Sequence, residues 1–311
     1  MNNQICVRDL YQENCKRLDL KWVAGQQGAQ RCFSKRSTTS GSPALVGYFN
    51  LIHPNQAQVL GKTELDYIQQ LGQDSFQEAC KKLFEDKSIV ILVTDDQKPP
   101  PQFIELAEQY KLPLIRTRLT SYEVLTNLRY YLTHKLANRL ILHGVFLEVL
   151  SMGVLLTGES GTGKSELALE LISRGHRLIA DDAPEFARIA PDIINGNCPS
   201  LLQDFLEVRG LGVLNIRAMY GDSVIQNSKY LGLIIHLISA QNDTRSIQDR
   251  LQINQQVQHI LGLDIPVITI PVAPGRNLAV LVEAAVRNHL LRLNGYDAGE
   301  DLSARQQRIM R

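Results

Sequence analysis

The 311-residue sequence has one tryptophan, four methionines, five cysteines and no dominant charge. The cysteines (Cys6, Cys15, Cys32, Cys80 and Cys198) are odd in number and scattered, with no Cys-x-x-Cys pair. That pattern argues against a disulfide framework or a zinc site and suits a reducing compartment. Lys and Arg total 33 against 32 Asp and Glu, so the net charge of +1 gives no global pull toward nucleic acid or a membrane surface. No apolar run approaches the roughly 20 residues needed to cross a bilayer. Residues 1–14 carry charges where a signal peptide would need an apolar stretch. Internal repeats and low-complexity tracts are also missing. The expectation is a cytoplasmic protein with no nucleic-acid or membrane partner.

What is present is ordinary globular composition, 44% hydrophobic and 21% charged, in a chain long enough for two domains. Residues 1–130 alternate strand and helix patterns. Ser88–Thr94 is a near-continuous β-branched run, as a buried strand requires. It ends in the turn-rich Asp95–Pro101. A helical pattern follows with Phe103, Leu106, Ala107 and Tyr110 on one face, then a strand at Pro113–Thr117. This βαβ rhythm predicts a small α/β domain with some parallel pairing. The polar stretch Ser34–Pro43 reads as a loop. Residues 121–142 read as a helix, with Leu125, Leu128, Leu132 and Leu136 at helical spacing, and the domain boundary is placed near 130. The second unit, 131–311, closes with an amphipathic helix around Asn277–Leu293, a stop at Gly295 and a polar tail read as disordered.

The chemistry begins at Gly153–Thr157, a strand, followed by Gly158-Glu159-Ser160-Gly161-Thr162-Gly163-Lys164-Ser165 and a helix to Arg174. Glycines let backbone N–H groups turn inward around phosphate oxygens at a helix N-terminus, where the dipole favours anions. Lys164 would reach the β- and γ-phosphates and the Ser165 hydroxyl would ligate Mg²⁺. The plainer alternative is a glycine-rich turn with a surface lysine. A strand before and a helix after favour the phosphate loop.

Four further elements surround it. If Leu142–Leu150 and 153–157 form a hairpin turning near Ser151-Met152, residues around 143, and so His143, lie beside residues around 160, the alternative being a structural histidine at a strand end. His176–Asp182 is a short strand ending in two carboxylates, Asp181 and Asp182, able to hold metal or take a proton. Adjacent aspartates are equally at home in a turn or helix cap. In Leu206–Asn215, Glu207 and Arg209 alternate onto one strand face, where the carboxylate is a candidate metal ligand and a surface ion pair is the alternative. Ile270–Asn277 is a rigid Pro/Gly loop whose Arg276 suits phosphate recognition and whose Asn277 suits a helix cap.

With these residues in place, the sequence resembles the HPr kinase/phosphorylase family. The likeness rests on HGVFLEVLSMGVLLTGESGTGKSELALELISRGHRLIADD, LEVRGLGVLNIRAMYG and IPVAPGRNLAV, with Gln58–Glu64 and Val46–Phe49 adding to it. The resemblance implies an ATP- and Mg²⁺-dependent kinase that phosphorylates a serine of the phosphocarrier protein HPr, or a nitrogen-system paralogue. It implies reversal by phosphorolysis, with phosphate consumed and pyrophosphate released. It also implies a phosphoenolpyruvate-carboxykinase-like fold for the C-terminal domain, a smaller N-terminal α/β domain for regulation or assembly, and a homohexamer. By the same resemblance Gly158 to Ser165 bind ATP, Ser165 and Glu207 ligate Mg²⁺, and His143, Lys164 and Asp182 are active-site residues, with Asp182 the proton acceptor. Arg250, within Gln248–Ile253, matches the family's catalytic arginine, and Arg245 is the alternative. Residues 206–215 would serve both reactions and 271–276 chiefly phosphorolysis. Two departures stand out: Ala273 replaces an arginine of that last loop, and residues 34–43 lack an Arg-Pro-Gly. Two other classes remain open: a carboxykinase-like small-molecule kinase, and a nucleotide-sensing regulator without catalysis.

Overall fold

The computed structural model describes residues 4–34, 44–50, 55–85, 88–239 and 256–309. Two compact units divide between Ala137 and Asn138. In the first, β1 (Ile5–Cys6), α1 (Val7–Asn14), β2 (Lys21–Ala24), β3 (Cys32–Phe33), β4 (Val46–Tyr48), β5 (Ala57–Leu60), α2 (Lys62–Gln70) and α3 (Gln73–Glu85) come first. They are followed by β6 (Val90–Val93), α4 (Pro101–Gln109), β7 (Leu114–Arg116) and α5 (Ser121–Leu136).

Five strands lie in the order β2-β7-β6-β5-β4, parallel except for β2 against β7. Their period of two sends alternate side chains to opposite faces. Val59, Val90, Leu92 and Ile115 meet α1 and α5, while Leu60, Ile91, Val93 and Leu114 meet the cluster containing residues of α2, α3 and α4. Helices on both faces explain why β6 is buried at every position. The start of α5 is fixed by Thr120, whose hydroxyl accepts from the Glu123 N–H while the Glu123 carboxylate accepts from the Thr120 N–H.

Two expectations about this half need correction. The helix expected over 121–142 stops at Leu136, and Arg139–Ile141 is a strand of the second unit. Its apolar residues satisfy a strand as well as a helix over so short a run. The expectation of no disulfide also fails at one pair: Cys6 and Cys32 are bonded across the antiparallel β1–β3 ladder. Register brings the two together, and a separation of 26 residues leaves no spacing signal. The loop read at Ser34–Pro43 lies almost entirely outside the described residues.

The second unit contains β8 (Arg139–Ile141), β9 (Val145–Val149), β10 (Met152–Gly158), α6 (Lys164–Ser173), β11 (Arg177–Ala180), β12 (Glu185–Ala190) and β13 (Ile193–Asn197). Next come β14 (Phe205–Val208), β15 (Gly212–Asn215), α7 (Ile216–Tyr220), β16 (Ser228–Ser239), β17 (Gln256–Ile260) and β18 (Leu263–Val272). Two helices, α8 (Leu278–Leu293) and α9 (Ala298–Ile309), end it. Nine strands form one mixed sheet, ordered β11-β9-β10-β16-β13-β12-β8, with β18 beside β16 and β17 beside β18. β10, β16 and β18 run parallel, while β9 is antiparallel to both of its neighbours, β10 and β11.

One face packs Val154, Leu156, Leu233 and Ile235 against Leu167, Ala168, Leu171 and Ile172 of α6 and Ala279, Val282 and Val286 of α8. Burying each such leucine contributes about 2 kcal/mol, so this face anchors the helix that begins at the phosphate loop. α6 ends at Gly175, φ +92°, where Gly175 N–H bonds Ile172 and His176 N–H bonds Leu171. These bonds satisfy the last carbonyls of the helix. Asn277 caps α8 through its side-chain oxygen and the Val280 N–H, 3.0 Å. The tail expected to be disordered is instead α9. It has no buried residue, and local bonds hold it: Asp297 accepts from Gly299 N–H, and Asp301 pairs with Arg305 one turn on.

Candidate active site

The hairpin β9–β10 turns at Leu150 and Ser151, both left-handed at φ +50° and +67°. Its register pairs Val149 with Met152 and Val145 with Leu156. Extended two residues further, that register places His143 beside Gly158, two positions from the expected 160. The loop from Gly158 to Gly163 then leads into α6. Gly158 (φ +145°) runs so close to β16 that a Cβ would lie 2.5 Å from the Leu237 carbonyl oxygen. Gly163 (φ +86°) is the N-terminal cap of α6. Only glycine takes both positions without strain.

Lys164 opens the helix and is 9% exposed. A buried ammonium needs partners, and Lys164 Nζ finds the carbonyls of Gly158, 2.9 Å, and Glu159, 3.0 Å. A cleft of about 490 Å³ opens in front of it, within the range of small-molecule sites. Its walls include His143, Ser160, Gly161, Ser165, Glu166, Asp181, Asp182, Glu207 and Arg209.

The two aspartates at the end of β11 do different things. Asp181 is buried, and its Oδ2 accepts from the Glu207 backbone N–H at 2.8 Å, fastening the β14–β15 hairpin to the cleft. Burial pushes the Asp181 carboxyl above its ordinary range, and the neighbouring Asp182 and Glu207 charges add to that, against two backbone hydrogen bonds that lower it. Asp182, left-handed at φ +64°, turns the other way. Its Oδ1 lies 2.8 Å from His143 Nδ1, with both side chains about two-thirds exposed to the cleft. Glu207 faces outward on β14, where the burial alternates, and pairs in register with Val213. Arg209, just beyond, reaches toward the phosphate loop: a Cβ on Gly161 would lie 3.4 Å from its Nη1. Among the described residues Arg209 has no acidic partner, whereas Arg139, Arg174, Arg177 and Arg217 of the same unit are all paired.

His143, Asp182, Glu207 and, from the phosphate loop, Ser160, Gly161, Gly163, Lys164 and Ser165 thus line one cleft. Gly158, Glu159 and Thr162 shape the loop without lining it. Arg250 and Arg245 lie outside the described residues. Ala273 and Arg276 are not in the cleft wall. The sequence pattern assigns Asp181 no separate role; the structure alone turns it toward Glu207.

Two family models match this chain: HPr Serine kinase N terminus over residues 5–132 and HPr Serine kinase C-terminal domain over residues 134–306. The chain belongs to the HPr serine kinase family. Within that family, HPr kinase/phosphorylases of Stenotrophomonas maltophilia (strain K279a) and Xylella fastidiosa (strain M12) are each 47% identical over 311 residues, covering 100% of this chain and 98% of the relative. A solved structure, the Hpr(Ser) kinase/phosphatase from Coxiella burnetii, is 36% identical and covers 52% of this chain and 98% of its own, with a TM-score of 0.48. Among the described residues no helix is long and apolar enough to cross a membrane.

Proposed function

We propose that this member of the HPr kinase/phosphorylase family transfers the γ-phosphoryl group of ATP to a serine of HPr or its nitrogen-system paralogue. The same cleft runs the transfer backward by phosphorolysis, consuming phosphate and releasing pyrophosphate. The observation that carries this reading is the His143–Asp182 pair, 2.8 Å apart, in the same cleft as Lys164 and the phosphate loop. A module that only sensed nucleotide would have no use for a base there.

Asp182 accepts the proton of the serine hydroxyl as its oxygen attacks phosphorus. An imidazole protonated at Nδ1 donates to Asp182 Oδ1 and holds the free carboxylate oxygen toward the acceptor. Lys164 leaves its loop carbonyls for phosphate oxygens, and Arg209 opposes the charge that spreads over the transferring group. In reverse, Asp182 carries the proton back to the leaving serine. Loop amides from Gly158 to Ser165 hold the phosphates still.

The residues present fit Mg²⁺. Ser165 and Glu207 offer hard oxygen donors in one cleft, which Asp181 and Asp182 also line. Ser165 and Glu207 would hold the ion. Among the described residues no three His, Cys, Asp or Glu side chains form a metal cage, so Ser165 and Glu207 would hold the ion only together with the bound nucleotide. When bound, Mg²⁺ neutralises phosphate charge.

Residues 138–311 would act as the catalytic domain, of carboxykinase-like fold, and residues 1–137 in regulation or assembly of a hexamer. The test is purified protein with labelled ATP, Mg²⁺ and either carrier. Phosphoserine should appear on one of them, and phospho-carrier with phosphate should yield pyrophosphate. No label on either carrier sinks the reading. Light scattering at six chain masses checks the assembly.

A further inference from the structure

Glu207 and Arg209 stand on a hairpin that lies outside the main sheet, since β14 and β15 pair only with each other. Leu206 and Val208 turn inward to the core that α6 covers, and Glu207 and Arg209 turn outward. The tip of the hairpin is open: a Cβ on Gly210 or Gly212 would meet nothing within 4 Å. Whatever holds the two functional side chains in place must therefore act on β14 itself.

Most polar bonds of this stretch are local. The Asp204 carbonyl accepts from Ile216 N–H at 2.9 Å, its carboxylate pairs with Arg217, and Asn215 caps α7 through the Ala218 N–H. Among the described residues, one hydrogen bond ties the hairpin to the end of a main-sheet strand: Glu207 N–H to Asp181 Oδ2, 2.8 Å. In an antiparallel pair, alternate residues aim their backbone groups away from the partner strand. The Glu207 N–H leaves the edge of β14 that β15 does not use, and Asp181 stands where a third strand would.

Burial and this bond divide the work. Burial of Leu206 and Val208 is non-directional, so it holds β14 against the core without fixing its offset along the strand. A directional bond at the residue between them does fix it. Asp181 is itself buried and has no cationic partner among the described residues, so its carboxylate has no ion pair to serve. Asp182 is the next residue. The end of β11 thus carries both the proposed base and the anchor of the hairpin.

We infer that Asp181 is a positioning residue for the transfer: by accepting from the Glu207 backbone N–H it sets the offset of β14. Through β14 it sets the reach of Glu207 into the cleft and of Arg209 toward Gly161. The inference rests on the roles given above to Glu207 and Arg209. It requires only an acceptor oxygen at position 181, which a neutral amide supplies as well as a carboxylate.

The test compares Asp181→Ala with Asp181→Asn in the full chain. Without nucleotide, hydrogen exchange at the Glu207 amide should be about tenfold faster in Asp181→Ala and return to the wild-type rate in Asp181→Asn. Calorimetry should show ATP binding weakened about tenfold by Asp181→Ala when Mg²⁺ is present and unchanged when it is absent. In kinetics kcat should fall with KM for HPr unchanged, and Asp181→Asn should rescue both the affinity and the rate. A residue that only stabilised the fold would lower the melting temperature and leave this metal-dependent difference at zero, which overturns the inference. Wild-type exchange at Glu207 in Asp181→Ala overturns it too, because something else then holds the hairpin. If Asp181→Ala does not fold, Asp181→Asn decides: wild-type exchange and rate uphold the inference, and impairment shows that charge at 181 is what matters and overturns it. Wild-type protein that labels no serine would refute the proposed reaction instead, with the exchange comparison still readable.

Discussion

Asp95-Asp96 after β6 and Asp181-Asp182 after β11 are nearly the same in sequence: an apolar strand, a small residue, two aspartates. Both pairs include left-handed residues, Asp95 and Asp96 at φ +57° and +54° and Asp182 at +64°. Their surroundings decide the rest. Asp95 accepts from the Lys62 N–H and the Ser121 hydroxyl, and Asp96 from Arg116 at 2.6 Å, so each carboxylate of the first pair has a donor of its own. In the second pair Asp181 is buried against a backbone amide and Asp182 faces a cleft with histidine as its neighbour. A doubled aspartate at a strand end is thus a turn device in one unit and, on our reading, a proton acceptor in the other.

The largest effect should come from breaking the second pair. Asp182→Asn should lower phosphoryl transfer roughly a thousandfold while leaving the Kd for ATP nearly unchanged, whereas Asp96→Asn should leave transfer intact. Surviving transfer in Asp182→Asn refutes the base assignment. Next, Arg209→Lys should lower kcat about tenfold or more, since a single ammonium cannot reproduce the guanidinium fork; an unchanged kcat removes Arg209 from the reaction. His143→Gln should cost about tenfold in kcat, because the amide still donates to Asp182 but fits the geometry less well. Loss as deep as that of Asp182→Asn would make His143 a participant in its own right.

The smallest effect is a titration. Asp96 is held below the ordinary carboxylate range, first by its hydrogen bond from Arg116, and Asp181 above it, first by burial. Carbon chemical shifts should separate the two on opposite sides of that range. The sign for stability differs too. Asp96 contributes above its unfolded pKa, and the contribution fades as pH falls through its folded one. Asp181 favours the folded state only while protonated, and that contribution fades as pH rises through its raised value. Overlapping titrations would erase the contrast.

Much of the site is legible in the amino-acid sequence. The phosphate loop, the hairpin that brings His143 alongside it, the strand ending in Asp181-Asp182 and the outward Glu207 all follow from periods of two and 3.6 with glycine punctuation. The turn expected near Ser151-Met152 falls one residue earlier, at Leu150-Ser151, and the sequence carries no signal of it, since neither residue is a usual left-handed former. β8 hides in the helical pattern of α5, since Leu140-Ile141 fit either period. The division of labour between Asp181 and Asp182 is invisible in sequence: it depends on a backbone amide of Glu207, 26 positions away, and no side-chain pattern records where an amide points. The Cys6–Cys32 bond is hidden for the same reason, being a matter of strand register.

The tethering of Lys164 to the Gly158 and Glu159 carbonyls has a consequence for affinity. With its ammonium already solvated by the loop, an arriving nucleotide does not meet a bare charge; it must displace two carbonyl oxygens. Binding becomes an exchange of partners, in which only the difference between phosphate and carbonyl as acceptors is gained. A loop built this way holds its shape when empty and releases its product readily, as a site that must run in both directions requires.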